Sequence, residues 1–413
     1  MKIVTANHSD ISGGAARAAY RLHQSLRVAG IESTMQVNKA VSGDWAVEGP
    51  VGARAKALAA VRGPVGGFLR HTLRTGNPIV HSPSVLPSRW PRRLSGCDAD
   101  VIHMHWVAGE MLSVKDIGRI NKPVVWTLHD MWAFCGAEHY TEDERWRVGY
   151  RRDNRPEHES GFDLNRWTWK RKVKHWQRPM HIVTPSHWLA DCVRQSSLMG
   201  EWPVTVVHNV IDTAQWYPIG QSLARNLLSL PQDVPLLLFG AMGGARDPRK
   251  GFDLLLKALG HLQGQVEGLE LVVFGQLPPR EPVDLGFPIH YTGHLHDDIS
   301  LRLLYSAADL LAIPSRQDNL PNTGVESLAC GTPVIAFNTC GLPDIVSHQR
   351  NGYLAEAFDP VDFAHGMRWV LEQRDNGDLR QAARDSAVER FSPDVVVPQY
   401  LDVYRQAMEA QGS

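Results

Sequence analysis

Long hydrophobic runs are missing from this 413-residue sequence, and no stretch approaches the roughly 18 uninterrupted apolar residues of a membrane-spanning helix. Cysteine is scarce. The five present (Cys97, Cys135, Cys192, Cys330 and Cys340) are odd in number and form no CxxC pair, which argues against a disulfide framework and for a reducing compartment. The opening MKIVTANH lacks the basic and apolar segments of a signal peptide, so a soluble, cytoplasmic protein is expected. Net charge is also lacking, at −1, and 43% hydrophobic with 21% charged residues excludes disorder, collagen and coiled coil. That neutrality conceals two local absences. Acidic residues are missing from 51–95, and tryptophan is almost missing after Pro218, where only Trp369 remains of thirteen. Residues 1–218 carry a net charge of +8 and residues 219–413 one of −9.

The length suits two domains. Short apolar runs predict strands at 2–7, 33–38, 100–105, 123–128, 181–185, 204–209, 235–240, 269–275, 288–293, 309–314 and 332–337. Helical patterns fall between them at 14–29, 110–120, 186–195, 251–263, 298–307, 324–330 and 361–373. Runs such as PLLLFG and DLLAIP do not alternate, as in parallel strands covered on both faces. The expected fold class is therefore α/β, with two tandem Rossmann-like, doubly wound domains and a ligand cleft between them. The Pro-bounded stretch 218–235 reads as a linker. It gives an N-terminal domain over 1–218, a C-terminal domain over 219–392, and a closing helix over 393–413 expected to pack back on the first domain.

Chemistry concentrates in SRQDNLPNTGVESLACGTPVIAF (315–337). The loop leaves a strand's carboxyl end and enters a helix near Thr323, where unpaired N–H groups and the positive dipole end favour an anion. Asp318 in the loop and Glu326 on the helix's first turn would flank a polyhydroxylated ligand. A second block, FGAMGGARDPRKGFDLLLKAL (239–259), leads from a strand into an amphipathic helix. In the first half, Gly13-Gly14 opens a helix after the first strand, and WTLHD (126–130) ends another strand.

With these motifs in place, the chain resembles the retaining GT-B glycosyltransferases of family 4, the group that builds bacterial polysaccharides and glycolipids. The family's E-x7-E followed by A-C-G-x-P appears here as D-x7-E followed by ACGTP. The resemblance implies that Glu326 holds the ribose hydroxyls of a nucleotide and that Asp318, a shorter acid than the family's, lies near the transferred sugar. It places the loop residues Asn319, Leu320, Pro321, Asn322, Thr323 and Gly324 against the donor, with Gly240 at the preceding strand end. Lys250 matches the lysine that grips the diphosphate, and Arg246 and Arg249 are both within reach as the accompanying arginine, Arg246 being favoured. Gly13 and Gly14 would face the donor phosphate and acceptor, and His129 the donor sugar.

The expectation is a metal-independent retaining hexosyltransferase with no cofactor. It would use a UDP- or GDP-sugar donor and a saccharide or polyprenyl-linked acceptor in cell-surface polysaccharide biosynthesis, and bind no nucleic acid. A nucleotide-sugar epimerase of the same fold and a non-catalytic nucleotide-sugar-binding protein are the alternatives. Asp98-x-Asp100 has the form of a metal-binding DxD but precedes a strand, where such acids occupy edge turns. His103 and His105 share a strand face with no third ligand in sequence, which argues against zinc. Two basic segments escape the α/β rhythm. Residues 51–95 hold eight Lys/Arg, and residues 145–178 hold eleven with Trp146, Trp167, Trp169 and Trp176. Both read as solvated faces or as peripheral contacts to an anionic membrane at its inner face.

Overall fold

The computed structural model describes residues 1–240, 247–279, 284–295, 297–375 and 377–412, without the side chains of Ala55 and Gly412. Arg246 lies outside the described residues. The chain forms two compact units, Met1–Val210 with Val396–Ser413, and Ile211–Val395.

Unit 1 begins β1 (Lys2–Ser9), α1 (Gly14–Val28), β2 (Glu32–Lys39), β3 (Val47–Glu48), α2 (Ala53–Arg70), β4 (Leu73–Arg74), α3 (Trp90–Gly96) and β5 (Val101–Met104). It continues α4 (Val114–Ile117), β6 (Val124–Thr127), α5 (Arg145–Val148), β7 (Ser160–Gly161), α6 (Leu164–His175), β8 (His181–Thr184), α7 (His187–Gln195) and β9 (Val204–Val206). Among the described residues its main sheet is parallel, ordered β3-β2-β1-β5-β6-β8-β9. Every residue of β5, β6 and β8 is buried, which is why these runs are apolar without alternation. The C-terminal helix (Pro393–Gly412) joins this unit. Val396, Tyr400, Val403, Tyr404 and Ala407 recur at helical spacing and enter a core with Ile3, Leu22 and Val101.

Unit 2 opens with α8 (Gln221–Leu227) and continues β10 (Leu236–Gly240), α9 (Phe252–Leu262), β11 (Glu270–Phe274), β12 (Ile289–Gly293), α10 (Asp298–Ala307) and β13 (Leu310–Ile313). It closes with α11 (Asn322–Ala329), β14 (Val334–Phe337), β15 (Gly352–Ala355), α12 (Pro360–Glu372) and α13 (Gly377–Phe391). Its sheet is parallel in the order β12-β11-β10-β13-β14-β15.

The sequence-expected strands all form, but other elements depart from expectation. The presumed linker 218–235 is folded into unit 2: α8 buries Ala224, and the buried Arg225 pairs with Asp309 at 2.8 Å. Helix α2 escapes the sequence pattern because Gly63, Pro64, Gly66 and Gly67, poor helix formers, interrupt it. Helix α13 escapes because its buried stripe of Leu379, Ala383, Ala387 and Phe391 is largely small. The Asp98-x-Asp100 acids brace the start of β1, with Asp98 taking the Lys2 ammonium at 2.7 Å and Asp100 the Lys2 amide at 2.8 Å.

In each sheet the first strand of the unit pairs with neighbours on both sides, β1 with β2 and β5, and β10 with β11 and β13. In open parallel sheets such switch points, at the carboxyl ends of the strands, are where ligands bind. After β10 the chain makes a single 3-10 turn at Pro248–Lys250 and enters α9 through Gly251 at φ 63°. A β-carbon at Gly251 would run into the Pro314 carbonyl at the end of β13. Gly251→Ala is therefore expected to lower unfolding free energy by about 2–4 kcal/mol, combining positive-φ strain with a backbone clash. Urea denaturation measures it, and a loss below about 0.5 kcal/mol would show that the two loops are not in contact.

Candidate active site

In unit 2 the loops after β10 and β13 are stitched together. Asp247 caps the 3-10 turn and holds the Arg249 guanidinium at 2.7 Å, and the Arg249 carbonyl accepts the Arg316 amide at 2.7 Å. The Arg316 guanidinium spans Asp253 at 2.6 and 2.7 Å and reaches the Pro248 carbonyl at 3.1 Å. Its hydrogen bond and its charge keep the Asp253 carboxyl below the usual range. This places the Lys250 ammonium on Asp318 at 2.6 Å, where the Ser315 hydroxyl also donates at 3.2 Å. Asp318 is anchored through its own backbone as well, its carbonyl taking the Gly341 amide at 3.1 Å. The structure thus brings together two residues separated by 68 positions.

Helix α11 follows directly. Its N-cap is Pro321, whose side chain offers no acceptor to the helix's first amides. Gly324 lets the helix approach the sheet, since a β-carbon there would lie 3.1 Å from Ile313 and Ile345. Leu320 turns its side chain into the core and can offer a ligand only its backbone, whereas Pro321, Asn322 and Thr323 are part-exposed. Glu326 stands in the second turn of α11, not the first as expected, because the helix starts at Asn322. Its carboxylate is 3% exposed and accepts the hydroxyl of the buried Tyr305 at 2.9 Å. Burial, helped by the Glu326 charge, pushes the neighbouring Cys330 thiol up to about 12, so Cys330 is no nucleophile. Gly240 at the end of β10 packs against the Phe274 ring, which a β-carbon would meet at 3.1 Å. Sequence reasoning missed Ser315, Tyr305 and Arg316. Ser315 and Arg316 open the stretch 315–337 but carry no distinctive spacing, and Tyr305 lies outside it, so only the loop packing reveals what they do.

In unit 1, Gly13 caps α1 at φ 97°, and α1 has no acid in its first turn. The preceding loop is held by Asp10, another group missed in sequence. Burial would raise its pKa, but amides of Ser42 and Val41 at 2.7 Å and Ile11 at 2.9 Å bring it below the ordinary value. His129, just past β6, is half-buried and lies 3.0 Å from His105 Nδ1, with the two rings stacked at 5.3 Å. His103 continues the column, 2.8 Å from the Thr127 hydroxyl and 2.9 Å from the Tyr404 hydroxyl, while Thr127 also meets Tyr400 at 3.1 Å. The histidines expected to share a face do so; His129 meets His105 Nδ1 and the C-terminal helix meets His103, while the buried His105 Nε2 has no partner among the described residues. Burial lowers His129 to about 4 and His103 to about 3, so the column is neutral at pH 7. Beside it Asp130 takes His139 at 2.6 Å and the Trp106 indole at 3.0 Å.

The basic Trp-bearing segment 145–178 is divided between interior and surface, with Arg147, Arg151, Arg152, Lys170, Lys174, Arg178 and Trp167 exposed. Trp146 and Trp176 are 4% exposed, and Arg145 is buried against Asp143 and Glu159. Lys172 is wholly buried, with its ammonium on the carbonyls of Trp132, Cys135 and Gly136 and over the Trp132 ring at 4.1 Å. Arg171 donates to the carbonyls of Pro83 and Ser84 at 2.8 and 2.9 Å.

Comparison with known proteins follows this division. Residues 236–373 match the family model "Glycosyl transferases group 1", and residues 12–215 match "Glycosyltransferase Family 4". The chain belongs to the family 4 glycosyltransferases. It is 32% identical over 228 residues to a D-inositol 3-phosphate glycosyltransferase of Saccharomonospora viridis, covering 50% of this chain and 51% of that protein. With the like-named protein of Xylanimonas cellulosilytica it shares 34% identity over 193 residues, 44% of this chain and 45% of that one. This family 4 chain thus spans about half the length of the curated relatives it matches. Among solved structures, sucrose-phosphate synthase from Thermosynechococcus elongatus superposes with a TM-score of 0.68 at 17% identity, covering 99% of this chain and 100% of that one. Anabaena HepE in complex with UDP and glucose superposes with a TM-score of 0.62 at 16% identity, covering 100% and 99%. At these identities the likeness establishes the fold, which is GT-B.

Two outcomes check the local physics. His103 and His105 titrate near 6.5 when unfolded but, by burial, only far lower when folded, to about 3 for His103. The unfolded chain then binds more protons between those values, so stability should fall as pH drops below 6.5, by about 1 kcal/mol per pH unit per histidine. Urea midpoints at pH 7 and 5 measure this, and a flat profile would show that the column is not buried neutral. Separately, Lys172→Met should cost about 3 kcal/mol, because it leaves three buried carbonyls without their donor. A fully stable variant would mean that Lys172 does not brace the 132–136 loop.

Proposed function

We propose that the chain is a retaining glycosyltransferase that moves a hexose from a UDP- or GDP-sugar to a saccharide or lipid-linked saccharide acceptor in cell-surface polysaccharide biosynthesis. The observation that carries this reading is the Lys250–Asp318 contact of 2.6 Å at the carboxyl ends of β10 and β13, beside the start of α11. A sugar diphosphate needs a cation for its phosphates and an acceptor for its sugar hydroxyls at adjoining points, and this pair supplies both. On donor binding Lys250 turns to the diphosphate, releasing Asp318 to the sugar, while the first amides of α11 add a positive dipole end. Glu326, fixed by Tyr305, holds the ribose. The Arg249 guanidinium is committed to Asp247, which leaves Arg246 as the second cation.

The reaction breaks the bond between the anomeric carbon and the phosphate oxygen and forms one from that carbon to the acceptor oxygen on the same face. The departing phosphate oxygen takes the acceptor's proton. Cations fixed where the leaving charge grows lower the barrier without a metal ion. His129, neutral at pH 7, serves as a hydrogen-bonding partner of the sugar and not as a charge. The relatives above are named D-inositol 3-phosphate glycosyltransferases, so phosphorylated polyols belong in the acceptor panel beside saccharides and polyprenyl-linked saccharides.

Nucleoside diphosphate release from UDP- and GDP-hexoses, with each acceptor class, tests the assignment. Lys250→Ala and Glu326→Gln should each lower kcat/KM by at least about 100-fold while the chain stays folded. Near wild-type transfer by either variant would refute the site. An inverted anomeric product would refute retention, and a new nucleotide sugar formed without acceptor would favour epimerisation.

A further inference from the structure

At the end of unit 1 opposite His129, the structure holds a cavity of about 530 Å³ that the proposed reaction does not use. It lies at the amino ends of β6, β8 and β9 and is bordered by Ala407, Ala410 and Gln411 of the C-terminal helix. The four residues of β6, about 13 Å at 3.3 Å per residue, separate it from His129. Its volume falls within the range of small-molecule sites. The walls are fixed by the protein itself. The indole of the buried Trp176 donates to the Val114 carbonyl at 2.8 Å, and Gly118 packs so closely on the His175 carbonyl that a β-carbon would overlap it. Pro123 and Pro203 add apolar rings, and their carbonyls are occupied by the amides of Ile102 and Ile182 at 2.9 and 2.8 Å.

The charge of the lining has one sign. Lys122, His175 and Arg178 belong to it and no Asp or Glu does; Glu409, next to Ala410 in sequence, lies outside it. Arg178 is exposed and pairs with no carboxylate among the described residues. Lys122 donates to the Ala99 carbonyl at 2.8 Å, which uses one of its three N–H groups. Burial, and then the charges of Lys174, Lys115, Arg171 and Arg119, hold His175 below its ordinary value. It is therefore neutral at pH 7, and the permanent charges of the lining are those of Lys122 and Arg178. The turn from α6 to β8 adds donors, since the amides of Gln177 and Arg178 meet no protein acceptor among the described residues. Two cations and two amides beside the apolar surfaces of Trp176 and Met180 suit a doubly charged anion on a small apolar body. A phosphate monoester has that charge, about −1.5 to −2 at pH 7, whereas a carboxylate carries half of it. We propose that this cavity is a second ligand site, which takes a small organic phosphate, its phosphate on Lys122, Arg178 and the turn amides and its apolar part against Trp176 and Met180. The proposal rests on this cavity alone and does not depend on glycosyl transfer.

Isothermal titration calorimetry of the full chain with naphthyl phosphate tests it. Naphthol carries the apolar body alone, inorganic phosphate the charge alone and naphthoate a single charge, and each should bind at least about tenfold more weakly than naphthyl phosphate. Arg178→Gln with Lys122→Gln should weaken naphthyl phosphate at least about tenfold. Ala410→Trp, which fills the cavity from an exposed helical position and keeps every charge, should do the same. Lys170→Gln, an exposed cation outside the lining, and Lys250→Ala in unit 2 should leave the binding in place. Thermal unfolding checks that each variant folds. Absence of binding, naphthoate binding as tightly as the phosphate, or binding that survives both cavity variants would overturn the proposal. So would binding lost to Lys250→Ala, which would put the probe at the strand ends of unit 2. Because the titration needs no donor, its failure and a failure of donor turnover are separate results.

Discussion

The charged chemistry of unit 2 depends on one close approach between two strand-end loops. Gly251, in a left-handed conformation, lets the turn after β10 touch the Pro314 carbonyl that ends β13. From that contact follow the Arg316 amide on the Arg249 carbonyl, the Arg316–Asp253 pair and the arrival of Lys250 at Asp318. The site is therefore a consequence of parallel-sheet topology. Adjacent strands β10 and β13 end side by side, so their following loops must either repel or bind, and here complementary charges bind them.

Unit 1 solves a different problem, that of keeping polar groups at the strand ends in fixed orientations without charging them. His129, His105 and His103 form a column whose inner end meets Tyr404 and whose Thr127 meets Tyr400, both from the last helix of the chain. A buried imidazole is tolerable when neutral and hydrogen-bonded, and burial enforces the neutral form. Next to this column, Lys172 ties three carbonyls of the loop after Asp130, so the loop is held by a cation placed inside the unit.

The excess positive charge of the first half consequently has two physical destinations. Arg145, Arg171 and Lys172 satisfy carboxylates and backbone carbonyls in the interior, where an unmet acceptor is costly. The cations around α2, and Arg147, Arg151, Arg152, Lys170, Lys174 and Arg178 of the second basic segment, remain at the surface. Composition treats these arginines and lysines alike, because charge counts carry no information on burial.

Sequence by itself determined the alternation of strands and helices, the parallel sheets and the strand-end position of the Asp318, Lys250 and His129 motifs. Those properties follow from local hydrophobic pattern and from short stretches of contiguous residues. It did not expose α2 or α13, whose Gly, Pro and Ala content blunts the periodic signal. It misread 218–235 as a linker, since the buried Arg225–Asp309 pair joins residues 84 positions apart. Only the tertiary structure decided that Lys250 meets Asp318, that Tyr305 holds Glu326, that the C-terminal tyrosines join the histidine column and that Lys172 is internal. Each is a contact between segments distant along the chain, and such contacts are set by packing and not by neighbouring residues.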